Sequence, residues 1–234
     1  ISECLVGSEM CIRDRYRDLL TLVNNQIYAP TVQNLNDPAE TIVNDSKMYE
    51  VFDLMEKSGL PINIAKDNYA KIIAQARTEL GIFSLSKTVV NELLWAYYTN
   101  GHKGFCIEYD SEQLQKSLSN GHLHSVLNVQ YKNDTPEFSM NSITNNLVDD
   151  TQFIKCLIAT KSMAWEREEE IRITLYSSGL FGISPESVTG IYFGLRMPES
   201  DKELVKNSLK GRSIKYYQMK LKPNSYLLEA ELIK

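Results

Sequence analysis

The spacing of apolar residues divides the chain into alternating predicted helices and strands. Apolar residues recurring every three or four positions predict helices, and short β-branched or aromatic runs between turn residues predict strands. Helices are predicted at Asp18 to Asn24, Asp45 to Lys57, Lys66 to Leu80, Thr88 to Tyr98, Asp150 to Trp165 and Glu199 to Leu209. Strands are predicted at Gln26 to Pro30, Gly81 to Ser86, Gly104 to Tyr109, Val126 to Tyr131, Glu170 to Tyr176, Val188 to Phe193, Ile214 to Leu221 and Tyr226 to Ile233. Because the order has no strict βαβ period, we expect a single α+β domain, with helices packed on a mixed sheet.

Two segments have a pattern of their own. In the helix predicted from Thr88, the apolar side is expected to consist of Val89, Leu93, Leu94 and Tyr97. The stretch from 132 to 148 is polar and rich in Asn, which predicts a surface loop with one short helix.

The beginning of the chain follows neither period. Residues 5–15 (LVGSEMCIRDR) are similar to one reading frame of a transposase adapter used in DNA library preparation. We therefore expect residues 1–15 to be non-native, and the native domain to occupy residues 16–234.

Charge and cysteine content narrow the class of protein. The formal charge is −5, and removing residues 1–15, which contain two basic and three acidic residues, leaves −4. General nucleic-acid binding needs basic surface and is not expected. Cys106 and Cys156 lie in separate apolar runs, which indicates reduced, buried thiols in a cytoplasmic protein. No apolar run approaches the roughly 20 residues of a membrane span.

The common nucleotide, zinc-protease and serine-hydrolase motifs do not occur in the sequence. A first candidate motif is Asn36-Asp37-Pro38 followed by Glu40. Asn and Asp bond their own backbone in turns, so this motif alone favours a turn that leads into a helix.

A second motif surrounds His102. Trp95, Tyr98 and His102 are spaced by three and four residues, so a continuing helix would place them on one face. They form either an aromatic core face with a capping histidine, or an aromatic wall with a titratable group beside a ligand.

A third motif, KSMAWEREEEIRI, combines opposite charges. Glu168, Glu170 and Arg172 alternate with Ile171 and Ile173, so a strand beginning near Glu168 would turn the charges to one side. Lys161 and Trp165 lie four residues apart on the preceding predicted helix. The group is either a solvated ladder of ion pairs or a buried site with perturbed pKa values.

Other charged groups give weaker signals. His102, His122 and His124 lack a placed carboxylate, so we predict no metal site. The basic C-terminal stretch is expected to be a solvated face, although it is the one candidate for contact with a polyanion. It contains Lys202, Lys206, Lys210, Arg212, Lys215, Lys220 and Lys222.

Taken together, the motifs resemble a bacterial family catalogued as domain of unknown function 2971. The matching residues are Asn36, Asp37, Pro38, Glu40, Leu85, Ser86, Trp95, Tyr98, His102, Gly104, Lys161, Trp165, Glu168, Glu170, Arg172, Phe193 and Gly194. Members of that family begin with a strand bearing a Lys-Tyr-Arg-like motif. Tyr16 and Arg17 lie too close to Asn36 to be that motif, so the first strand is expected to be missing.

The order of GIFSLS and a later E-x-E is also similar to ADP-ribosyltransferases. This resemblance implies NAD as a substrate, with Glu170 stabilising the oxocarbenium-like state and Glu168 orienting the acceptor. It also implies a supporting role for Ser84 or Ser86, and stacking of Trp95 or Tyr98 on nicotinamide. The residues nominated for ligand binding are Asn36, Asp37, Glu40, Ser84, Ser86, Trp95, Tyr98, Lys161, Trp165 and Arg172.

Two other functions remain open at this point. The same residues are consistent with a module that binds a small molecule or a protein without turnover. They are also consistent with a phosphodiester-cleaving toxin that uses His102 with Glu168 and Glu170.

Overall fold

A computed structural model describes residues 15–59, 61–137 and 155–233. Residues 1–14 and most of the predicted loop at 132–148 lie outside the described residues, and so do the first residues of the helix predicted from Asp150. The described helices are α1 (Arg15–Val23), α2 (Ser46–Lys57), α3 (Asn63–Thr78), α4 (Glu92–Tyr98), α5 (Ser111–Leu118) and α6 (Glu199–Ser208). Residues 155–158 are also helical.

The strands in the described residues are short and form four sheets. They are β1 (Gln26–Ala29), β2 (Gly81–Ser86), β3 (Phe105–Tyr109), β4 (Leu123–Asn128), β5 (Gln130–Lys132), β6 (Thr160–Ser162), β7 (Glu170–Leu175), β8 (Gly179–Gly182), β9 (Val188–Phe193), β10 (Lys215–Leu221) and β11 (Leu228–Leu232). One sheet has the order β11-β10-β9-β3 and another β2-β7-β4, while β1 pairs with β8 and β5 with β6. The pairings are both parallel and antiparallel, so the prediction of an α+β fold is confirmed.

The β2-β7-β4 sheet has a packed core on each face. Its Leu85, Ile171 and Ile173 belong to the first core, which also contains Ile191 and Phe193 of the other large sheet. On the opposite face Ile82 and Leu127 join a second core, in which they pack with buried side chains of α2, of α3 and of residues 157–159. Because β2 and β7 are buried along their whole length, their polar side chains are withdrawn from water and require partners.

Helix α4 covers the other large sheet. Its Leu94, Trp95 and Tyr98 form a third core with Cys106 and Tyr192. The predicted apolar side of this helix is therefore wrong for Leu93 and Tyr97, which are exposed. The reason is the N-cap: the Asn91 side chain accepts hydrogen bonds from the backbone N–H groups of Leu93 and Leu94, so the helix starts at Glu92 rather than Thr88.

The helix predicted from Asp150 to Trp165 is wrong beyond residue 158. Lys161 lies instead on β6, which pairs in parallel with β5, and a 3₁₀ helix (Met163–Glu168) follows. Tertiary pairing overrides the helical periodicity here. The strand predicted from Val126 to Tyr131 is divided between β4 and β5, and α5 and β8 were not predicted.

Among the described helices, none is long and apolar enough to cross a membrane.

Candidate functional site

Strand β7 carries two charged residues on the face that meets the second core. All six residues of β7 are buried, and successive side chains lie on opposite faces: Glu170 and Arg172 on this face, and Ile171 and Ile173 in the first core, as predicted. Ser86 lies opposite Glu170 and Ser84 opposite Arg172 on the antiparallel neighbour β2. Directly paired residues share a face, so the two serines border the charged pair.

Arg172 is the central cation of the site. Its Nε and Nη2 donate to the two carboxylate oxygens of Glu170 at 2.8 and 3.0 Å. Its Nη1 and Nη2 donate to both oxygens of Glu40 at 2.8 and 2.6 Å, and Nη1 also donates to the carbonyl of Ile158 at 2.6 Å. The side chain is only 1% exposed. This bidentate pairing with two carboxylates fixes all three side chains.

Lys161 supplies the second cation. Its Nζ lies 2.6 Å from Glu168 Oε2, 3.3 Å from Glu170 Oε2 and 3.6 Å from Glu40 Oε1. The same ammonium lies 4.9 Å from the centre of the Trp165 ring, within the range of a cation–π contact. We call Glu40, Glu168, Glu170, Lys161 and Arg172 the carboxylate cluster.

Glu168 joins the cluster from outside the strand, as the last residue of the 3₁₀ helix. Its Oε1 accepts a hydrogen bond from the hydroxyl of Tyr98 at 2.8 Å, and the Asn36 side chain bonds the same tyrosine. Burial and the neighbouring charge of Glu168 raise the pKa of Tyr98, so its hydroxyl stays a donor.

The charges of the cluster do not cancel, because three carboxylates face two cations. Burial alone would raise the pKa of Glu170, but Arg172 and Lys161 outweigh it and hold that pKa at about 2. Burial likewise opposes the charged form of Lys161, yet the three carboxylates raise the pKa of its ammonium group. Both groups therefore carry charge at neutral pH.

Glu40 reaches the cluster through a tight turn. The Asp37 carboxylate accepts the backbone N–H of Ala39 at 2.9 Å, so the predicted turn is present, although it does not lead directly into a helix, because α2 begins at Ser46. The next residue, Thr41, has a φ of 62°, and Arg77 of α3 donates to its hydroxyl at 3.1 Å and to its carbonyl at 2.8 Å. A β-branched residue rarely adopts this conformation, so the Arg77 contacts hold the turn that delivers Glu40.

Glu169 lies between Glu168 and Glu170 of the E-x-E motif. Its backbone has the left-handed conformation, with φ 46° and ψ 49°. We expect Glu169→Val to lower the free energy of unfolding by about 1–2 kcal/mol, because a left-handed backbone crowds a Cβ-bearing residue and most of all a β-branched one. Glu169→Gly should change it by less than about 1 kcal/mol. Urea denaturation of both variants measures this order, and equal stability of the two would contradict the strained backbone.

A groove of about 250 Å³ lies beside the cluster. It is lined by Asn91, Leu93, Leu94, Tyr97, Ala164, Trp165, Arg167 and Glu168. The Asn91 side-chain amide donates to the carbonyl of Arg167 and so ties the start of α4 to the 3₁₀ helix. Glu168 is thus the cluster carboxylate that reaches this groove.

The structure brings most of the predicted site residues together. Glu40, Glu168, Glu170, Lys161, Arg172, Tyr98 and Asn36 are connected by hydrogen bonds, Ser84 bonds the Glu170 side chain, and Trp165 lies under Lys161. Asp37 holds the turn before Glu40 rather than joining the cluster. Ser86 bonds locally to Thr88, and the indole N–H of Trp95 donates to the Val89 carbonyl at 2.6 Å inside the third core.

His102 packs against Trp95 of α4. Its ring is stacked on Trp95, with centroids 6.4 Å apart, and its carbonyl accepts the backbone N–H of Arg196 at 2.9 Å. Its backbone approaches Gly194 so closely that a Cβ there would lie 2.3 Å from the His102 carbonyl oxygen. The motif that contains His102 and Gly104 therefore packs directly against Gly194 of the Phe193-Gly194 pair.

His102 should make stability depend on pH. Its Nδ1 is buried with no hydrogen-bond partner among the described residues, and burial, with Arg196 nearby, lowers the pKa of the ring. A depressed folded pKa gives stability that is present above the unfolded pKa of about 6.5 and lost as the pH falls below it. In urea denaturation between pH 7.5 and pH 5, wild type should therefore lose more stability than His102→Asn. Parallel curves would contradict this.

Three site residues were missed by the sequence reasoning. The Tyr131 hydroxyl accepts the backbone N–H of Glu170 at 2.8 Å, and Tyr97 and Arg167 line the groove. The exposed position of Tyr97 follows from the Asn91 cap, which the sequence contains. The position of Tyr131 follows from β5–β6 pairing, for which the sequence gives no local signal.

Two predictions outside the site can also be compared with the structure. Cys106 is buried as predicted, but Cys156 is exposed, so that prediction is wrong. In the basic C-terminal stretch, Lys202, Lys206 and Lys220 pair with glutamates, and Arg212 donates to the α1 carbonyls of Leu22 and Val23. These contacts fit a solvated, structural role.

Among the described residues, no group of three or more His, Cys, Asp or Glu side chains is arranged to hold a metal ion.

Comparison with known proteins gives one family. Residues 94–173, which include most of α4 and also Glu168, Glu170 and Arg172, match the family model described as Protein of unknown function (DUF2971). No curated protein and no solved structure matches the chain significantly. Over residues 94–173, the family model therefore agrees with the resemblance seen in the motifs.

Proposed function

We propose that the protein cleaves the bond between nicotinamide and ribose in NAD and transfers the ADP-ribosyl group to an acceptor. The observation that carries this proposal is the carboxylate cluster, which has one more carboxylate than cations and reaches an aromatic groove through Glu168. Cleavage of this bond develops positive charge on the ribose, and a fixed excess of negative charge stabilises such a state.

The pairing of β2 with β7 supports the same proposal. The resemblance to ADP-ribosyltransferases rests on a serine-rich strand and a later E-x-E. Here the two segments are neighbouring strands, and the Ser84 hydroxyl bonds the Glu170 carboxylate. Residues more than 80 positions apart in sequence thus meet in one site.

The groove suits the nicotinamide end of the dinucleotide. Trp165 and Tyr97 are aromatic side chains that accept a flat, cationic ring. Trp95 and Tyr98, the residues first expected to stack, are buried in the third core. A volume of about 250 Å³ is below the usual size of a complete ligand pocket, so the remainder of NAD would extend from the groove.

We assign different roles to Glu168 and Glu170, the two carboxylates of the E-x-E motif. Glu168 lines the groove and would contact the ribose, so we assign it the catalytic role. Glu170, first expected to be the catalytic carboxylate, has both oxygens bonded to Arg172, and we assign it the positioning of Lys161.

The reaction balances without a further co-reactant. The C1′–N1 bond of NAD breaks, and nicotinamide leaves as a neutral molecule with the bonding electron pair. The acceptor oxygen or nitrogen then bonds to C1′ and releases its proton to water. Glu168 stabilises the positive charge that develops on the ribose between these two events.

Release of nicotinamide tests the proposal directly. The protein is incubated with labelled NAD and cell lysate, and both free nicotinamide and labelled macromolecules are measured. Time-dependent release by wild type supports a transferase, and the labelled macromolecule identifies the acceptor. A folded protein that releases no nicotinamide would refute the proposal.

A second candidate is a binding module without turnover. It is favoured by one observation: both oxygens of Glu168 already accept hydrogen bonds, from Tyr98 and Lys161. Binding of NAD or nicotinamide without release would favour it. The phosphodiester-cleaving alternative finds no support, because the described contacts of His102 are with Trp95 and Arg196 rather than with the cluster.

A further inference from the structure

Tyr131 touches the backbone of the site from a different strand. The backbone N–H of Glu170 donates to the Tyr131 hydroxyl at 2.8 Å, and the Glu170 carbonyl accepts the N–H of Val129 at 3.0 Å. Residues 129–131 thus hold both backbone polar groups of Glu170. This contact lies directly after the left-handed Glu169, where the backbone turns from the 3₁₀ helix into β7.

The same short strand also holds Lys161. Tyr131 of β5 is the register partner of Lys161 of β6, and the Gln130 N–H donates to the Ala159 carbonyl at 2.8 Å. Strand β5 therefore contacts both Lys161, through its pairing with β6, and the backbone of Glu170 in β7. A shift of β5 would change the distance between the ammonium and the carboxylates.

We infer that Tyr131 is a positioning residue, which sets the spacing of Glu168 and Glu170 from Lys161. Burial is the main cause that raises the pKa of Tyr131 to about 12, so its hydroxyl is neutral at physiological pH. A neutral hydroxyl accepts the Glu170 N–H and keeps its own hydrogen for a second bond. Phenylalanine at this position would fill nearly the same space but leave that N–H without its acceptor.

The test compares Tyr131→Phe with Tyr69→Phe. Tyr69 is a control because burial also raises the pKa of its hydroxyl, but Tyr69 belongs to the second core and donates to Asp45 at 3.4 Å. Amide hydrogen exchange at Glu170 should accelerate about tenfold in Tyr131→Phe and stay unchanged in Tyr69→Phe. The ¹³C resonances of the Glu168 and Glu170 carboxylates should also move only in Tyr131→Phe.

The activity readout rests on the proposed function. With NAD, Tyr131→Phe should lower kcat by roughly 10- to 100-fold and change KM by less than about twofold, as expected for misplaced groups. Unchanged exchange and carboxylate signals would overturn the inference, and so would moved signals with unchanged kcat. If wild type releases no nicotinamide, the proposed function fails, while the exchange and carboxylate signals still decide the role of Tyr131.

Discussion

Replacing Arg172 with methionine is expected to lower the free energy of unfolding by about 3–5 kcal/mol. The substitution leaves Glu40 and Glu170 buried, and in the described part of the chain Lys161 is then the one cation paired with them. Removing one partner of a buried ion pair costs far more than the pair itself contributes, because the remaining charge stays desolvated. Domains of this size are stable by about 5–15 kcal/mol, so much of the total would be lost.

Urea denaturation measures the effect of Arg172→Met, with Lys206→Met as a matched control. Lys206 pairs with Glu203 at the surface, so its replacement should cost at most about 1 kcal/mol. Adding Glu40→Gln to Arg172→Met should recover part of the loss, because it removes an uncompensated charge. A loss below about 1 kcal/mol in Arg172→Met would show that the buried network does not exist.

Replacing Glu168 with glutamine is expected to reduce nicotinamide release by about 10²- to 10³-fold. Glutamine keeps the size of the side chain and its Tyr98 contact, but it removes the charge that faces the groove. Because the charge matters most when the ribose becomes positive, kcat should fall more than KM rises.

Glu166→Gln is the control for this prediction. Glu166 is an exposed carboxylate on the same 3₁₀ helix, outside the residues that line the groove. Its replacement should change nicotinamide release by less than about twofold. If Glu166→Gln and Glu168→Gln behave alike in an active protein, the assignment of Glu168 to catalysis is wrong.

The local part of the site could be read from the sequence. Alternation of Glu170 and Arg172 with Ile171 and Ile173 predicted which side chains meet, because a strand turns successive residues to opposite faces. The turn at Asp37 was equally predictable, since its side-chain bond to Ala39 is local.

The non-local part could not be read in this way. Glu40 bonds Arg172 across 132 positions of sequence, and no periodicity reports such a contact. Lys161 was predicted on a helix, because its apolar neighbours repeat at helical spacing, whereas pairing with β5 draws it into a strand. Tyr97 was placed in the core because the Asn91 cap was not used to fix where α4 begins. In each case a long-range contact or a cap decided the outcome.

The most direct test of the central claim is an NMR titration of the two tryptophan side chains with NAD. The sequence contains two tryptophans, Trp165 in the groove and Trp95 in the third core, so one spectrum holds both the probe and its control. If NAD binds in the groove beside Glu168, the indole N–H signal of Trp165 moves with NAD concentration, while that of Trp95 stays in place. A Trp165 signal that does not move at saturating NAD would contradict the account.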